Sequence, residues 1–406
     1  MEVAVCESPA SAGRSLSNWD LDELLALTTL LIEAASDSDA IYWDLIEPAL
    51  TVWANGEYTL DRAFYERVIQ PFIAAYTSDE FRQAATSYES LYRDRSASVR
   101  LRLDETLSPA FINAFTSEFR ITPDDVIDVL GELVELAAER NSVVVETTIG
   151  ELRGRLIARG LSTDTCTTFV SVFALFHRPN WDRVPVGFRR KDISPWRYGR
   201  RLSVTARPLL VFGVTDSDTV IYGLGTLRQS LAYLLDRTER GQMPADFFTT
   251  DAMKAYLGAV NHERGHAFAE SVAEALRRDG WQARTSVKMR ELSAPIEYGD
   301  LDVLAWTNTG RVQLIECKRL QLARTVAEVG EVCRRFRGEA MDELAKHMRR
   351  VTWIQAHASS VSKVIGIPVI AENIEARVIT DVHVPMQYLE SLPIPPQKIG
   401  PLNTPL

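Results

Sequence analysis

The sequence is poor in cysteine and lysine, and it has no long apolar run. Its four cysteines are scattered and none belongs to a CxxC pair, so we expect neither a disulfide framework nor a cysteine-based zinc site. No uncharged apolar stretch approaches the roughly 18 residues of a membrane-spanning helix. The first residues lack the basic and apolar segments of a signal peptide. We therefore expect a cytoplasmic protein with no membrane partner.

Acidic and basic residues are distributed unevenly. Residues 1–140 carry 26 Asp and Glu against 10 Arg and no Lys, whereas residues 141–406 carry 29 acidic and 35 basic residues. A phosphate-rich partner would be repelled by the first part and tolerated by the second. The asymmetry indicates at least two modules. The acidic N-terminal region is the expected contact for a second copy or for another protein.

Hydrophobic periodicity divides the chain into four parts. Helical spacing predicts an α-helical domain over residues 1–145, in which Thr122-Pro123-Asp124-Asp125 marks the start of one helix. Residues 146–250 predict a helix pair followed by a basic and aromatic connector that contains a β-hairpin. Residues 251–390 form the third part. Five prolines in residues 391–406 predict an extended tail.

Two groups of side chains before residue 250 could contact nucleic acid. Arg189-Arg190-Lys191 lies among aromatic residues, a combination that can pair phosphates and stack bases. A solvated linker, or a contact with the acidic N-terminal region, explains the same composition equally well. For Trp19, Trp43 and Trp53 we favour a place in the hydrophobic core over base stacking.

From residue 251 onward, the order of the predicted helices and strands is typical of a particular kind of fold. A long helix ends near Gly280 and is followed by strand-like segments at 283–290, 301–306 and 311–318. Helical sequence then covers about 323–356, and a last strand-like run follows at 375–380. The predicted order is helix, three strands, helix and strand.

Three side chains that could take part in catalysis lie on the second and third of these strands. Side chains alternate along a strand, so Glu316 and Lys318 project from one face. If Thr307 pairs with Arg311 around a three-residue loop closed by a glycine, Asp302 lies directly across from Glu316. A loop of two or four residues would instead place the two acids on opposite faces.

Two neighbouring carboxylates repel each other, and a divalent cation would neutralise them. Mg²⁺, with Mn²⁺ as a substitute, binds to one or two carboxylates together with water and substrate phosphate. Such an ion polarises a phosphoryl oxygen and helps to generate hydroxide. Lys318, one of only seven lysines in the chain, could orient the attacking water and stabilise the transition state.

The pattern Asp302…Glu316-Cys317-Lys318 within an αβββαβ order resembles the PD-(D/E)XK nuclease superfamily over about residues 251–385. Residues 299–304 and 314–318 are similar to modification-directed restriction enzymes and Holliday-junction-resolvase-like members. It implies a restriction-endonuclease-like C-terminal domain in an α+β multidomain chain. It further implies Mg²⁺-dependent cleavage of DNA, as an endonuclease in prokaryotic defence or repair. Asp302 and Glu316 would bind the metal, and Lys318 would be the catalytic lysine.

Members of that superfamily often have a further glutamate in the first helix, where this sequence has Ala269. The neighbouring Glu270 is the candidate for an additional metal ligand, although helical geometry turns it away from the apolar stripe, and Glu263 is the alternative. The helical segment after Lys318 is rich in basic residues that could hold the DNA backbone. These include Arg319, Arg324, Arg334, Arg335, Arg337, Lys346, Arg349 and Arg350. Some members of the superfamily have lost cleavage, so the alternative is a silent nuclease fold that binds nucleic acid or protein.

A competing motif lies in the long helix before the strands. His262-Glu263-Arg264-Gly265-His266 matches HExxH, in which two histidines one turn apart bind Zn²⁺ and the glutamate is the general base. With a rise of about 1.5 Å per residue, His262 and Glu270 are roughly 12 Å apart and cannot share one zinc ion. No later segment supplies an obvious third ligand. A zinc metallopeptidase is therefore the less favoured alternative.

Overall fold

The computed structural model shows a mixed α/β protein that divides into two units. Unit 1 contains Met1–Ile32 and Leu101–Asn261, and unit 2 contains Glu33–Arg100 and His262–Leu406. The structure describes residues 17–46, 51–56, 58–59, 63–78, 107–178, 180, 182–194, 200–320, 323, 325–339, 341–389 and 392–402.

Helices and strands are numbered in chain order. The described helices are α1 (Asn18–Tyr42), α2 (63–78), α3 (Pro109–Phe119), α4 (Pro123–Glu139), α5 (Ile149–Ala158), α6 (Thr163–Phe173), α7 (Arg190–Ile193), α8 (Leu224–Glu239), α9 (Asp251–Arg278), α10 (Val326–Arg335), α11 (Glu343–Ala356) and α12 (Ala358–Ile365). The described strands are β1 (Thr51–Val52), β2 (Tyr58–Thr59), β3 (Val144–Thr148), β4 (Ala174–Phe176), β5 (Leu209–Phe212), β6 (Thr219–Gly223), β7 (Gln282–Lys288), β8 (Asp300–Trp306), β9 (Val312–Lys318), β10 (Ile374–Thr380) and β11 (Ile399–Gly400).

Unit 1 is built on a mixed sheet with the strand order β3-β6-β5-β4. Strands β5 and β6 form the predicted antiparallel hairpin, and β4 runs parallel to β5. Helices α3 to α6 share one apolar core with this sheet, to which Phe111, Leu133, Leu152 and Phe169 contribute. The predicted domain boundary at 145/146 falls within β3, which pairs with the later strand β6.

The start of α4 confirms the helix signal in the sequence. The Thr122 hydroxyl accepts a hydrogen bond from the Asp125 amide at 3.1 Å, and the Asp125 carboxylate accepts one from the Thr122 amide at 3.3 Å. These reciprocal bonds satisfy amides that have no partner within the helix. The stripe at helical spacing is buried, namely Val126, Leu130, Leu133 and Ala137.

The prediction that the N-terminal tryptophans are core residues is correct only for Trp43. Trp43 is 8% exposed, whereas Trp19 is 80% and Trp53 57% exposed. Trp19 lies in the first turn of α1, where the neighbouring leucines are also exposed, and Trp53 follows the two-residue strand β1. Neither position lies on a face that packs against a sheet.

Unit 2 contains a five-stranded sheet in the order β11-β10-β9-β8-β7. Strands β7, β8 and β9 are antiparallel, whereas β9, β10 and β11 are parallel. Helix α9 covers one face through Val272, Ala273 and Leu276, and helices α11 and α12 contribute to the core on the other face. The observed order therefore confirms helix, three strands, helices and strand, and the proline-rich tail adds the edge strand β11.

No helix in the described part of the chain is long and apolar enough to cross a membrane. This agrees with the absence of long apolar runs from the sequence.

A buried carboxylate links two helices of unit 1. The Glu132 side chain, 4% exposed, lies 2.6 Å from Arg155 Nε and 2.7 Å from Arg159 Nε. Arg155 also pairs with Glu139, whose side chain is 56% exposed, at 2.7 Å. Because a buried charge is destabilising without its partners, Glu132 depends on both arginines, whereas Glu139 is screened by water.

We expect Glu132→Gln to lower the free energy of unfolding by about 2 kcal/mol, because it removes the charge that both guanidiniums face. The matched variant Glu139→Gln, which affects the same arginine, should leave the free energy of unfolding nearly unchanged, because water screens this ion pair. Urea denaturation followed by circular dichroism measures both variants. Equal small effects would show that Glu132 contributes no more than a surface ion pair.

Candidate active site

The β8–β9 hairpin has the loop length on which the sequence prediction depends. The Thr307 amide donates to the Arg311 carbonyl at 2.9 Å, and the Gly310 amide donates to the Thr307 carbonyl at 3.0 Å. Gly310 has φ +83°, and a Cβ there would lie 2.6 Å from the Pro368 carbonyl oxygen, so glycine is required twice over. The three-residue loop is therefore confirmed.

The register of the hairpin brings the two acids together. Val303 pairs with Ile315, and one further step along each strand leads to Asp302 and Glu316, which lie close enough for the charge of Glu316 to act on Asp302. The Asp302 Oδ2 atom accepts a hydrogen bond from the Cys317 amide at 2.7 Å, which fixes this carboxylate against β9.

The strand on the other side of Asp302 is irregular. Thr285 pairs with Val303 and Val287 with Leu301, but Ser286, which lies between them, has φ +52°. A left-handed backbone is uncommon for a residue other than glycine and often marks a functional site. The irregularity lies directly beside Asp302.

Burial and the nearby Glu316 raise the pKa of Asp302 from an ordinary 3.8 to about 6. Burial disfavours the charged form, and a second carboxylate disfavours it further. The amide of Cys317 and the positive charges of Lys318 and Arg350 act in the opposite direction but do not outweigh them. Asp302 is thus a carboxylate whose ionisation is costly without a further cation.

Glu316 is surrounded by cationic side chains. Its side chain is 8% exposed, Oε1 lies 2.9 Å from Lys318 Nζ, and Oε2 lies 2.8 Å from Arg350 Nη1. The predicted shared face of Glu316 and Lys318 is confirmed by this contact. The third neighbour, His347 Nδ1, lies 3.7 Å from Oε2.

Lys318 bridges two carboxylates. Its Nζ lies 2.9 Å from Glu316 and 3.2 Å from Glu343, which also pairs with Arg335 at 2.6 Å. Burial lowers the pKa of Lys318, but Glu316 and Glu343 outweigh burial, so the pKa is raised overall. The ammonium is therefore charged at neutral pH and can donate hydrogen bonds rather than accept a proton.

Helix α11 supplies the residues around Glu316 that the sequence analysis missed or misplaced. Glu343 and His347 were given no role, and Arg350 was assigned only to backbone binding. The three are spaced by four and three residues, which puts them on one face of a helix. His347 is fully buried, neither ring nitrogen has a hydrogen bond of normal geometry, and burial lowers its pKa to about 4.

The structure does not bring Glu270 to these carboxylates. Glu270 pairs with Arg277 at 2.7 Å and accepts a hydrogen bond from the Thr285 hydroxyl at 2.8 Å. It belongs to α9, which covers the sheet face of Val303, whereas Glu316 faces α11. The assignment of Glu270 as a ligand is therefore not supported. Within the described residues, no group of three or more His, Cys, Asp or Glu side chains is arranged to hold a metal ion.

The basic residues that follow the site are largely engaged within unit 2. Arg319 lies 3.4 Å from Asp381. Arg334 stacks 4.6 Å from the Trp43 ring centroid, and Arg335 binds Glu343. Arg324 lies outside the described residues. Their role in holding DNA stays a prediction.

The earlier basic group also has acidic neighbours. Arg189 and Lys191 both pair with Asp246, and Arg190 lies 2.6 Å from Asp182. These pairs satisfy the charges locally, as in the alternative without nucleic acid. Nucleic-acid contact at these residues stays a prediction.

The HExxH segment lies in α9 with its two histidines in contact. The ring centroids of His262 and His266 are 4.5 Å apart, and Ser286 Oγ lies 3.4 Å from His266 Nδ1. The described residues offer no third ligand that would complete a zinc site. The geometry gives the zinc peptidase no support beyond the two histidines.

We expect Asp302→Asn to stabilise the metal-free protein by about 2 kcal/mol near pH 8, because it removes a charge whose pKa is raised by about two units. A raised carboxylate pKa means that the folded state gains protons first as the pH falls. The penalty, and thus the advantage of the variant, should therefore fade between about pH 6 and pH 4.

Thermal denaturation of the parent and the variant, near pH 8 and again near pH 4, measures this effect. Asp300→Asn, an exposed position on the same strand, is the matched control and should change little. A variant Asp302→Asn that is less stable than the parent near neutral pH would contradict the repulsion between the two acids.

Comparison with known proteins identifies the family. A family model described as "Anti-phage protein Upx-like" matches residues 1–400. No curated protein and no solved structure was found to match the chain. The chain therefore belongs to the Upx-like family of anti-phage proteins, and this membership indicates a role in defence against phage.

Proposed function

We propose that this member of the Upx-like anti-phage family is a Mg²⁺-dependent nuclease that hydrolyses DNA phosphodiester bonds. The observation that carries the proposal is the meeting of Asp302, Glu316 and Lys318 on one side of the β8–β9 hairpin. Their residue types and their order along the chain are those of the PD-(D/E)XK superfamily, and the order of α9, β7, β8, β9, α11 and β10 agrees with its αβββαβ pattern.

The donor set fits a hard divalent cation. Asp302 and Glu316 are acidic oxygen donors on adjacent strands, and burial, together with the nearby charge of Glu316, raises the pKa of Asp302. These two residues would hold Mg²⁺, with Mn²⁺ as a substitute, because Mg²⁺ requires few protein carboxylates and keeps water and phosphate in its remaining positions. The bound ion would supply Lewis acidity and a more acidic water molecule.

Lys318 has a separate role. Because Glu316 and Glu343 keep its ammonium protonated, it can hold the attacking water by a hydrogen bond and face the negative charge that develops on the phosphoryl oxygens. The two carboxylates also fix its Nζ in place. A preorganised donor of this kind contributes to the rate without rearrangement during the reaction.

The proposed function favours phage DNA as the substrate, because the family is described as anti-phage and the proposed chemistry cleaves phosphodiesters. We further propose cleavage within the strand, as in restriction enzymes. The acidic N-terminal region, which would repel DNA, is better suited to a second copy or to a protein partner. A silent nuclease fold that only binds its target is the alternative that the experiment below separates.

Purified protein incubated with plasmid DNA and Mg²⁺ tests the proposal. We expect nicking or linearisation that EDTA abolishes and Mn²⁺ restores. Lys318→Ala should lower the cleavage rate by about 10²- to 10³-fold, the usual loss for one preorganised donor. Lys363→Ala, which removes an exposed lysine on α12, is the matched control and should cleave normally.

Plaque counts on cells expressing the same variants extend the test to defence. Protection lost in Lys318→Ala and kept in Lys363→Ala would support cleavage as the mechanism. Retained protection by Lys318→Ala, with no metal-dependent cutting in vitro, would favour the silent binding module. One tightly bound zinc ion per chain that His262→Ala removes would instead favour the peptidase.

A further inference from the structure

We propose that Arg350 is a resident counter-ion of the site, which a divalent cation displaces from Glu316 and which then becomes free to contact substrate phosphate. This inference rests on the proposed nuclease function. It assigns to one side chain of α11 both the neutralisation of the metal-free site and a phosphate contact in the loaded site.

The first observation is that both oxygens of Glu316 are occupied. Lys318 lies at Oε1 and Arg350 at Oε2, at 2.9 and 2.8 Å. A metal ion that binds Glu316 must therefore displace a cation. Lys318 is held by the second carboxylate of Glu343, whereas the only carboxylate in contact with Arg350 among the described residues is Glu316. Displacement leaves Lys318 anchored by Glu343 and leaves Arg350 without a carboxylate, so a substrate phosphate is the partner that compensates Arg350 in the loaded site.

The second observation is the position of the guanidinium. Arg350 Nε donates to the Tyr298 carbonyl at 2.7 Å, and a Cβ on Gly299 would lie 3.6 Å from Arg350 Nη2. Tyr298 and Gly299 lead directly into the strand that carries Asp302. The guanidinium thus lies between Glu316 and the segment that leads to Asp302, and its charge acts on both carboxylates.

The third observation concerns what happens after displacement. The Nε–Tyr298 bond does not involve Glu316, so it can persist when Nη1 leaves the carboxylate. Arg350 would then remain anchored at the site with its outer nitrogens free, and a guanidinium fork binds phosphate oxygens well.

Titration of the full-length protein with Mn²⁺, with free Mn²⁺ followed by electron paramagnetic resonance, tests the exchange. Arg350→Met should bind Mn²⁺ about tenfold more tightly than the parent, because it removes a positive charge next to a ligand. The same variant should cleave plasmid about tenfold or more slowly at saturating metal, because it lacks the phosphate contact. Tighter metal binding together with slower cleavage is the combination that the proposal requires.

Two variants serve as controls. Arg349→Met removes a neighbouring arginine that lies over the Tyr298 ring at 5.0 Å and makes no ion pair with Glu316, so its Mn²⁺ affinity should equal that of the parent. Arg350→Lys keeps the charge and should change affinity by less than about threefold. Melting temperatures of all variants show whether each is folded.

The outcomes separate the two proposals. A parent protein that binds and cleaves, together with an Arg350→Met variant of equal or weaker Mn²⁺ affinity, would overturn the exchange and leave the nuclease intact. Equal tightening in Arg350→Lys would also overturn it, because loosened packing rather than charge would then be the cause. A folded parent that neither binds Mn²⁺ nor cleaves would overturn both.

Discussion

The candidate site depends on the repulsion between two carboxylates that the β8–β9 register forces together. Glu316 is buried and satisfied by Lys318 and Arg350, but Asp302, across the hairpin, has a raised pKa because it is buried and, to a lesser extent, because it lies near the charge of Glu316. Such an arrangement is unfavourable for stability alone. The pair of carboxylates is explained if a divalent cation binds to both of them during function.

The surrounding fold holds this arrangement in place. The three-residue loop sets the register, the Cys317 amide fixes Asp302, and helix α11 presents three side chains around Glu316. The sheet of unit 2 is covered by helices on both faces, so the hairpin cannot relax easily to separate the acids. A rigid scaffold under a strained polar site is a common way to prepare a reaction centre.

Local features of this protein could be predicted from the sequence because local physics determines them. Thr122 and Asp125, which are only three residues apart, cap the start of α4. The length of the loop before Arg311 determines which residues of the hairpin face each other. The alternation of side chains along a strand and the length of the loop were enough to predict that Asp302, Glu316 and Lys318 lie close together. Each of these inferences needed only a short stretch of chain.

Contacts between distant segments could not be predicted in the same way. Glu343 and His347 reach Lys318 and Glu316 only because α11 packs against the sheet. The sequence near Glu316 contains no pattern that predicts this packing. Glu270 was assigned by resemblance, but α9 turns it to the opposite face, where Arg277 and Thr285 bind it. The exposure of Trp19 depends likewise on packing that periodicity does not describe.

A crystal structure soaked with Mn²⁺, with the ion located by its anomalous scattering, tests most directly whether Asp302 and Glu316 bind a divalent cation. We expect an anomalous peak between the carboxylates of Asp302 and Glu316, within coordination distance of both. A fully soaked crystal with no peak there, or with its strongest peak at His262 and His266, would contradict it.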